Sequence, residues 1–247
     1  MEVQKLKNLI ESEIQKVNES FVFKPRSLSL LPKELAKYID HTLLKAYATP
    51  KEIEKICAEA VENEFYAVCV NPTYVSLAKD KLKGTKVKIG TVIGFPLGAN
   101  TIETKMFEAQ NALENGADEL DMVLNIGRLK ASEFDYVYKE ISSIADLTHK
   151  SKKLLKVIIE TCYLTKEEKI ASVVISRLAG VDFVKTSTGF GTDGAKEEDV
   201  ALMKFVAGPN IKVKASGGIR DLETAIKMIN AGADRIGTSS GISIVKE

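Results

Sequence analysis

The sequence predicts an α/β fold, a (β/α)8 or TIM barrel with an N-terminal helical extension, and three observations carry that reading. Eight apolar, strand-like runs succeed one another between residues 37 and 239. The segments between them open on helix caps and are long enough to be crossover helices. Several of those segments close on the same glycine junction before the next strand. Eight strand-plus-helix units in about 210 residues suit a closed barrel better than the alternative, an open doubly wound sheet, whose strand count is usually smaller.

The elements follow in order. Val3, Leu6, Ile10, Ile14 and Val17 recur at helical spacing and predict one amphipathic helix over 3–17, followed by a connector from Pro25 to Pro32. Residues 1–30 therefore read as an extension and connector, and 31–247 as the barrel. The strand runs are 37–43 (KYIDHTL), 66–70 (YAVCV), 88–95 (KIGTVIGF), 119–125 (ELDMVLN), 154–160 (LLKVIIE), 183–188 (FVKTST), 211–216 (IKVKAS) and 235–239 (RIGTS). Thr49-Pro50-Lys51-Glu52 and Thr165-Lys166-Glu167-Glu168 are capping boxes, and Asn71-Pro72 reads as a cap with proline at the first helical position. Glycines 116, 180 and 232 each stand where a helix ends and the chain turns into a strand.

Composition narrows the function classes. Lys and Arg total 35 against 34 Asp and Glu, so no long-range charge invites DNA, RNA or an anionic membrane, while small anions remain open to local groups. The three cysteines, Cys57, Cys69 and Cys162, lack metal-type spacing, and the first two lie in apolar runs. A reducing, cytoplasmic setting is expected. The segment MEVQKLKNLIESEIQKV breaks every apolar run with a polar residue, which argues against a secretory signal, and no run approaches a membrane span. With only His41 and His149, a histidine-rich metal centre is not expected.

Strand parity then sorts the polar residues. Alternate strand residues face the barrel centre, and sites in such barrels gather at the C-terminal strand ends. Asp40, Asp121, Lys156, Lys185 and Lys214 fall on the inward face. One strand lysine alone is more often a snorkelling or ion-paired residue. Two near the ends of consecutive strands, with an aspartate on the same wall, point instead to chemistry. Neighbouring ammonium groups favour each other's neutral form, and a neutral lysine attacks carbonyls to form an imine. Parity does not choose between Lys185 and Lys214 as the nucleophile.

A second signal concerns phosphate. Ser216-Gly217-Gly218-Ile219-Arg220 and Gly237-Thr238-Ser239-Ser240-Gly241 follow strands seven and eight, where such barrels often hold phosphate. Glycines admit close backbone donors and serines add hydroxyls. Together with the lysines, these loops predict a phosphorylated carbonyl substrate.

The motifs ELDMVLNIG (119–127), KVIIETC (156–162), VKTSTGFGT (184–192), ASGGIRD (215–221) and RIGTSSG (235–241) occur in one order. With them the chain resembles the class I deoxyribose-phosphate aldolase family, from Tyr38-Ile39-Asp40-His41-Thr42 almost to the last residue. The resemblance implies a lyase that interconverts 2-deoxy-D-ribose 5-phosphate with D-glyceraldehyde 3-phosphate and acetaldehyde through a lysine Schiff base. No cofactor and no metal is implied. Lys185 would form the imine, Lys214 would be the neighbouring cation that lowers its pKa, and Asp121 would assist proton transfer through water. Asp40 and Lys156 match positions of the supporting network. Gly189, Gly217, Gly218, Gly237, Ser239 and Ser240 match phosphate-loop positions.

The chain also departs from the family pattern. Phe190 stands where some members carry a lysine, and Asp193 where glycine is common. Some members end in a tyrosine-bearing tail, whereas these residues end at Ile244-Val245-Lys246-Glu247, so proton transfer by such a tail is not expected. Two other functions compete: a phosphosugar isomerase or epimerase with Asp121 as base, and a non-catalytic phosphosugar-binding barrel. Cys69 reads as a core thiol, His41 as a structural hydrogen-bonding residue, and Arg220 as either a phosphate ligand or a solvated surface group. The expected partner is a small phosphorylated sugar, with no nucleic acid and no membrane, and assembly as a homo-oligomer is left open.

Overall fold

The computed structural model describes residues 3–246. Eight parallel strands close on themselves in sequence order. They are β1 (Ile39–Leu43), β2 (Ala67–Val70), β3 (Lys88–Ile93), β4 (Glu119–Val123), β5 (Leu154–Ile158), β6 (Phe183–Lys185), β7 (Lys212–Ser216) and β8 (Arg235–Thr238). Each lies within a run that the sequence predicts. The helices are α1 (Val3–Ser20), α2 (Pro32–Ala36), α3 (Pro50–Glu62), α4 (Val75–Lys81), α5 (Ile102–Asn115) and α6 (Ile126–Lys130). The chain continues through α7 (Phe134–Lys150), α8 (Lys166–Leu178), α9 (Glu197–Ala207), α10 (Leu222–Ala231) and α11 (Gly241–Lys246). Among the described residues no helix is long and apolar enough to cross a membrane.

Local chemistry sets the helix ends. Thr49 and Glu52, and Thr165 and Glu168, form the reciprocal capping boxes, with the Thr49 amide donating to Glu52 Oε2 at 2.7 Å and the Thr165 amide to Glu168 Oε2 at 2.8 Å. Gly116 and Gly232 end α5 and α10 in the left-handed conformation, which costs glycine nothing. Asn71 takes the expected N-cap position with Pro72 after it, but its side chain makes no cap hydrogen bond. Its side-chain amide donates instead to the Lys45 carbonyl at 3.3 Å, and residues Pro72–Tyr74 form a 3₁₀ turn before α4 begins.

Helix α1 packs across α7 and α8 and buries Leu6, Ile10 and Val17. Val3 leaves the predicted stripe and stays exposed. Glu13 is buried beside these residues and accepts from Arg177 Nη2 at 2.8 Å, so α1 is fastened to α8 by charge as well as by apolar contact. The connector is tied down too, because Arg26 donates from its backbone to Asn230 O and from its guanidinium to Ile229 O.

Two different interiors result from the strand alternation. The outward strand residues, among them Leu120, Met122, Leu155, Val157, Val184, Val213 and Ile236, pack against the helices in one apolar core. Each such side chain contributes roughly 1.5–3 kcal/mol of burial. Several of the inward residues are charged. Lys185 pairs in register with Lys214, Asp121 with Lys156, and the barrel closes with Asp40 beside Gly237.

Candidate active site

Parity places Asp40, Asp121, Lys156, Lys185 and Lys214 inside the barrel, and all five are buried there. Asp121 is their hub. Its Oδ2 accepts from both Lys185 Nζ and Lys214 Nζ at 2.8 Å each, and its Oδ1 accepts from Lys156 Nζ at 2.9 Å. Lys214 also reaches Asp40 Oδ2 at 2.6 Å.

Two residues that the sequence does not single out complete the arrangement. Lys156 donates to Glu119 Oε2 at 2.6 Å, Arg235 donates to Glu119 Oε1 at 2.8 Å, and its other nitrogen reaches Asp40 Oδ1 at 2.5 Å. A closed ring results: Asp121, Lys156, Glu119, Arg235, Asp40, Lys214 and back to Asp121. Lys185 hangs from it by Asp121 alone. Glu119 and Arg235 stand two residues before Asp121 and Gly237 on their strands, so the same parity marks them. They open their strands, where charged residues usually meet solvent.

The charges are unequal by one. Three carboxylates, Asp40, Glu119 and Asp121, face four basic side chains, Lys156, Lys185, Lys214 and Arg235. With Lys185 neutral the buried set balances, three against three. Burial is the main force lowering the Lys185 pKa, the Lys214 charge adds to it, and Asp121 opposes both. This reorders the expected cause, in which repulsion between the two lysines led. The mutual lowering expected from repulsion alone does not extend to Lys214. Burial would lower its pKa, but Asp121 and Asp40 together raise it above the ordinary lysine value, so it is held as an ammonium. Burial works against the Asp121 anion, yet Lys156, Lys185 and Lys214 outweigh it and hold the carboxyl well below its usual range.

Above Lys185 opens a cavity of about 260 Å³ at the C-terminal end of the barrel. Gly189, Gly217, Gly218, Gly237 and Ser239 line it with Thr188, Phe190 and Arg220. Ser240 does not. Its amide donates to Thr238 Oγ1 at 2.9 Å and its carbonyl accepts from Ile244 N, because it opens the last helix. Gly237 has a different constraint from the other loop glycines: a Cβ there would meet Lys214 Cε at 2.9 Å. It makes room for the lysine stem. Lys45, from the loop after β1, also lines the cavity, and nothing in its local sequence marks it for that place.

The departures from the family pattern acquire surroundings. Phe190 is exposed at the cavity edge and meets Phe95 edge-on with centroids 5.3 Å apart. Asp193 is paired with Lys196 at 2.8 Å and does not line the cavity. Cys69 packs inside the barrel with Leu44 and Val92, and burial pushes its thiol up to about 11, the behaviour of an inert core residue. His41 faces outward and pairs its Nε2 with Glu59 at 2.8 Å, as parity predicts. Among the described residues no cluster of His, Cys, Asp and Glu has the makings of a metal site.

Comparison with known proteins gives a consistent answer. Residues 34–247 match the profile of the DeoC/LacD family of aldolases. The deoxyribose-phosphate aldolase of Thermotoga petrophila is 58% identical over 237 residues, covering 96% of this chain and 95% of the relative. A crystal structure of a protein assigned as a deoxyribose-phosphate aldolase, from Coccidioides immitis, is 41% identical and superposes with a TM-score of 0.94 over 100% of this chain and 97% of that one. The tetrameric deoxyribose phosphate aldolase of Aeropyrum pernix is 35% identical, with a TM-score of 0.83 over 97% of this chain and 96% of the other.

Proposed function

This chain belongs to the DeoC/LacD aldolase family, and from that premise we propose that it cleaves 2-deoxy-D-ribose 5-phosphate, reversibly, to D-glyceraldehyde 3-phosphate and acetaldehyde through an imine on Lys185. The observation that carries this reading is the difference between the two lysines. Lys214 is fixed by two carboxylates and held charged, whereas Lys185 has one carboxylate, a lowered pKa and the floor of the cavity. A buried amine that releases its proton easily is a nucleophile.

The steps follow from that chemistry. The Lys185 amine adds to the C1 aldehyde of the open-chain sugar and the adduct loses water to give a protonated imine. A base removes the C3 hydroxyl proton, the C2–C3 bond breaks, and its electron pair moves into the imine to leave an enamine and the three-carbon aldehyde phosphate. Protonation at C2 and addition of water release acetaldehyde and restore the lysine. Asp121, whose Oδ2 both amines share, assists proton transfer through a water, while Lys214 stays the fixed ammonium beside Lys185. Asp121 orients both amines, and Asp40 and Lys156, with Glu119 and Arg235, hold Asp121 and Lys214 in place. Gly189, Gly217, Gly218 and Ser239 form the phosphate end, with Lys45 and Arg220 as the nearby cations.

Residues 1–30 are read as an extension outside the catalytic barrel of 31–247, the working state as a homo-oligomer in the reducing cytoplasm, and neither cofactor nor metal as required. The decisive experiment is borohydride reduction with 2-deoxyribose 5-phosphate followed by peptide mapping. A stable adduct on Lys185 is expected. An adduct on Lys214 reverses the two roles, and no adduct on either lysine removes imine chemistry and favours the isomerase or binding-protein readings.

A further inference from the structure

Four non-glycine residues among those described have positive φ, and three of them, Glu64, Ser132 and Lys152, are exposed. The fourth is Glu160, at φ +54 and 2% exposed, two residues beyond β5. A buried side chain kept in this uncommon backbone region calls for a reason nearby. Its surroundings supply one.

Glu160 forms no ion pair among the described residues. Its two oxygens accept from the Thr188 amide at 3.2 and 3.4 Å, and Oε2 also accepts the Thr188 hydroxyl. Thr188 Oγ1 in turn accepts from the Phe190 amide at 3.0 Å. Gly191 passes so close that a Cβ there would meet Glu160 Cδ at 3.2 Å and Cys162 Sγ at 2.7 Å. The loop after β6 is thus folded around one buried carboxylate, and that carboxylate depends on the loop for its hydrogen bonds. Without these donors it would be a buried anion with no compensation.

The loop so held is a wall of the cavity. Thr188, Gly189 and Phe190 line it three to five residues after Lys185. The left-handed turn at Glu160 bends the chain from β5 into the 3₁₀ turn Thr161–Tyr163 and sends the side chain inward beneath that wall. On the other side, the Thr161 amide donates to Thr186 O at 2.9 Å and fixes the base of the loop.

We propose that Glu160 is a positioning residue: acting through Thr188, it holds the Thr188–Gly191 loop in the shape that receives the substrate phosphate. This rests on the reading of the cavity as a phosphosugar site and adds the element that shapes its phosphate end. The carboxylate itself does not line the cavity. Its effect should therefore fall on phosphate affinity and spare the chemistry at Lys185.

Two substitutions separate positioning from plain stabilisation. Glu160→Gly suits the positive φ, so it keeps the turn while removing the acceptor; Glu160→Gln keeps an acceptor oxygen for Thr188. The readouts are KM and kcat for 2-deoxyribose 5-phosphate and for unphosphorylated 2-deoxyribose, together with the Kd of inorganic phosphate by calorimetry. Glu160→Gly should weaken phosphate binding and raise KM for the phosphorylated sugar about tenfold, a loss expected for one charge-assisted hydrogen-bond set, with little change for the unphosphorylated sugar. Glu160→Gln should recover most of that loss. Thr188→Val should reproduce the Glu160→Gly effect and add little to it in the double variant, since both break the same link. Equal losses for both sugars, an unchanged phosphate Kd, or glutamine as poor as glycine would each overturn the assignment. Phosphate calorimetry requires no turnover, so it judges Glu160 even if the wild-type protein forms no adduct on Lys185, a result that would count only against the imine.

Discussion

Lys185 and Lys214 donate to the same oxygen of Asp121 at equal distance, yet the Lys185 pKa is lowered and that of Lys214 is raised. The difference lies in Asp40, which gives Lys214 a second carboxylate at 2.6 Å. One bridging aspartate thus serves two amines whose pKa values shift in opposite directions. On the proposed imine mechanism, this difference favours Lys185 as the nucleophile, a choice that strand parity leaves open.

The first prediction concerns the pH dependence of imine formation. Lys185 is pulled down by burial and by Lys214 and pulled up by Asp121. Lys214→Met removes a depressing charge, so the Lys185 pKa should rise and the acid limb of adduct formation should move to higher pH. Asp121→Asn removes the opposing charge, so that limb should move to lower pH. At pH values below the limb, moving it by one pH unit changes the free amine about tenfold, equivalent to about 1.4 kcal/mol. The measurement is the rate of adduct formation against pH in wild type and both variants. Movement of the limb in the same direction in both variants would contradict the stated balance of forces.

The second prediction concerns Arg235. It bridges Asp40 and Glu119 from the floor of the barrel, is buried with them, and does not line the cavity. Its guanidinium also lies 3.3 Å from the centroid of the Tyr66 ring. Arg235→Met leaves two buried carboxylates short of a partner, and breaking a buried pair in this way typically costs about 3–5 kcal/mol. Denaturant unfolding should show that loss. The double variant Arg235→Met, Glu119→Gln should be less destabilised than the single one, because Asp40 keeps Lys214, Asp121 keeps Lys156, and with Lys185 neutral the buried charges balance again, two against two. If Arg235→Met alone unfolds at the wild-type midpoint, the ring contributes nothing to stability.

The barrel and most of the charged centre are legible in the sequence because strand periodicity is a strong signal. Eight apolar runs, reciprocal Thr–Glu caps and left-handed glycines carry the fold, and alternation places Asp121, Lys185 and Lys214 on one face. Glu119 and Arg235 obey the same alternation but stand at strand starts, where parity is usually overruled by solvent. Glu160 is legible only as inward-facing. Its partner, Thr188, lies across the gap between two loops, and no local pattern encodes that contact. Asn71 shows a partial reading: the cap position and the following proline are as the local signal says, but the side chain turns to the Lys45 carbonyl, which only the tertiary fold brings near.

The third prediction separates two roles for Gly237. Family resemblance gives it to the phosphate loop, and it does line the cavity. Yet its missing side chain leaves space for Lys214, whose Cε would sit 2.9 Å from an added Cβ, and Ser216 Cβ stands 3.0 Å away on the other side. The lysine stem must move if that space is filled, and its ammonium, held by two carboxylates, cannot move without lengthening those bonds. Gly237→Ala should therefore disturb Lys214 before it disturbs phosphate. The expected result is a fall in kcat of roughly tenfold for both 2-deoxyribose 5-phosphate and unphosphorylated 2-deoxyribose, as for a small displacement of a catalytic group. The Kd of inorganic phosphate should stay near that of wild type. A rise in KM confined to the phosphorylated sugar, with kcat retained, would instead make Gly237 a phosphate-loop residue and show that the Lys214 stem adapts to the added methyl group.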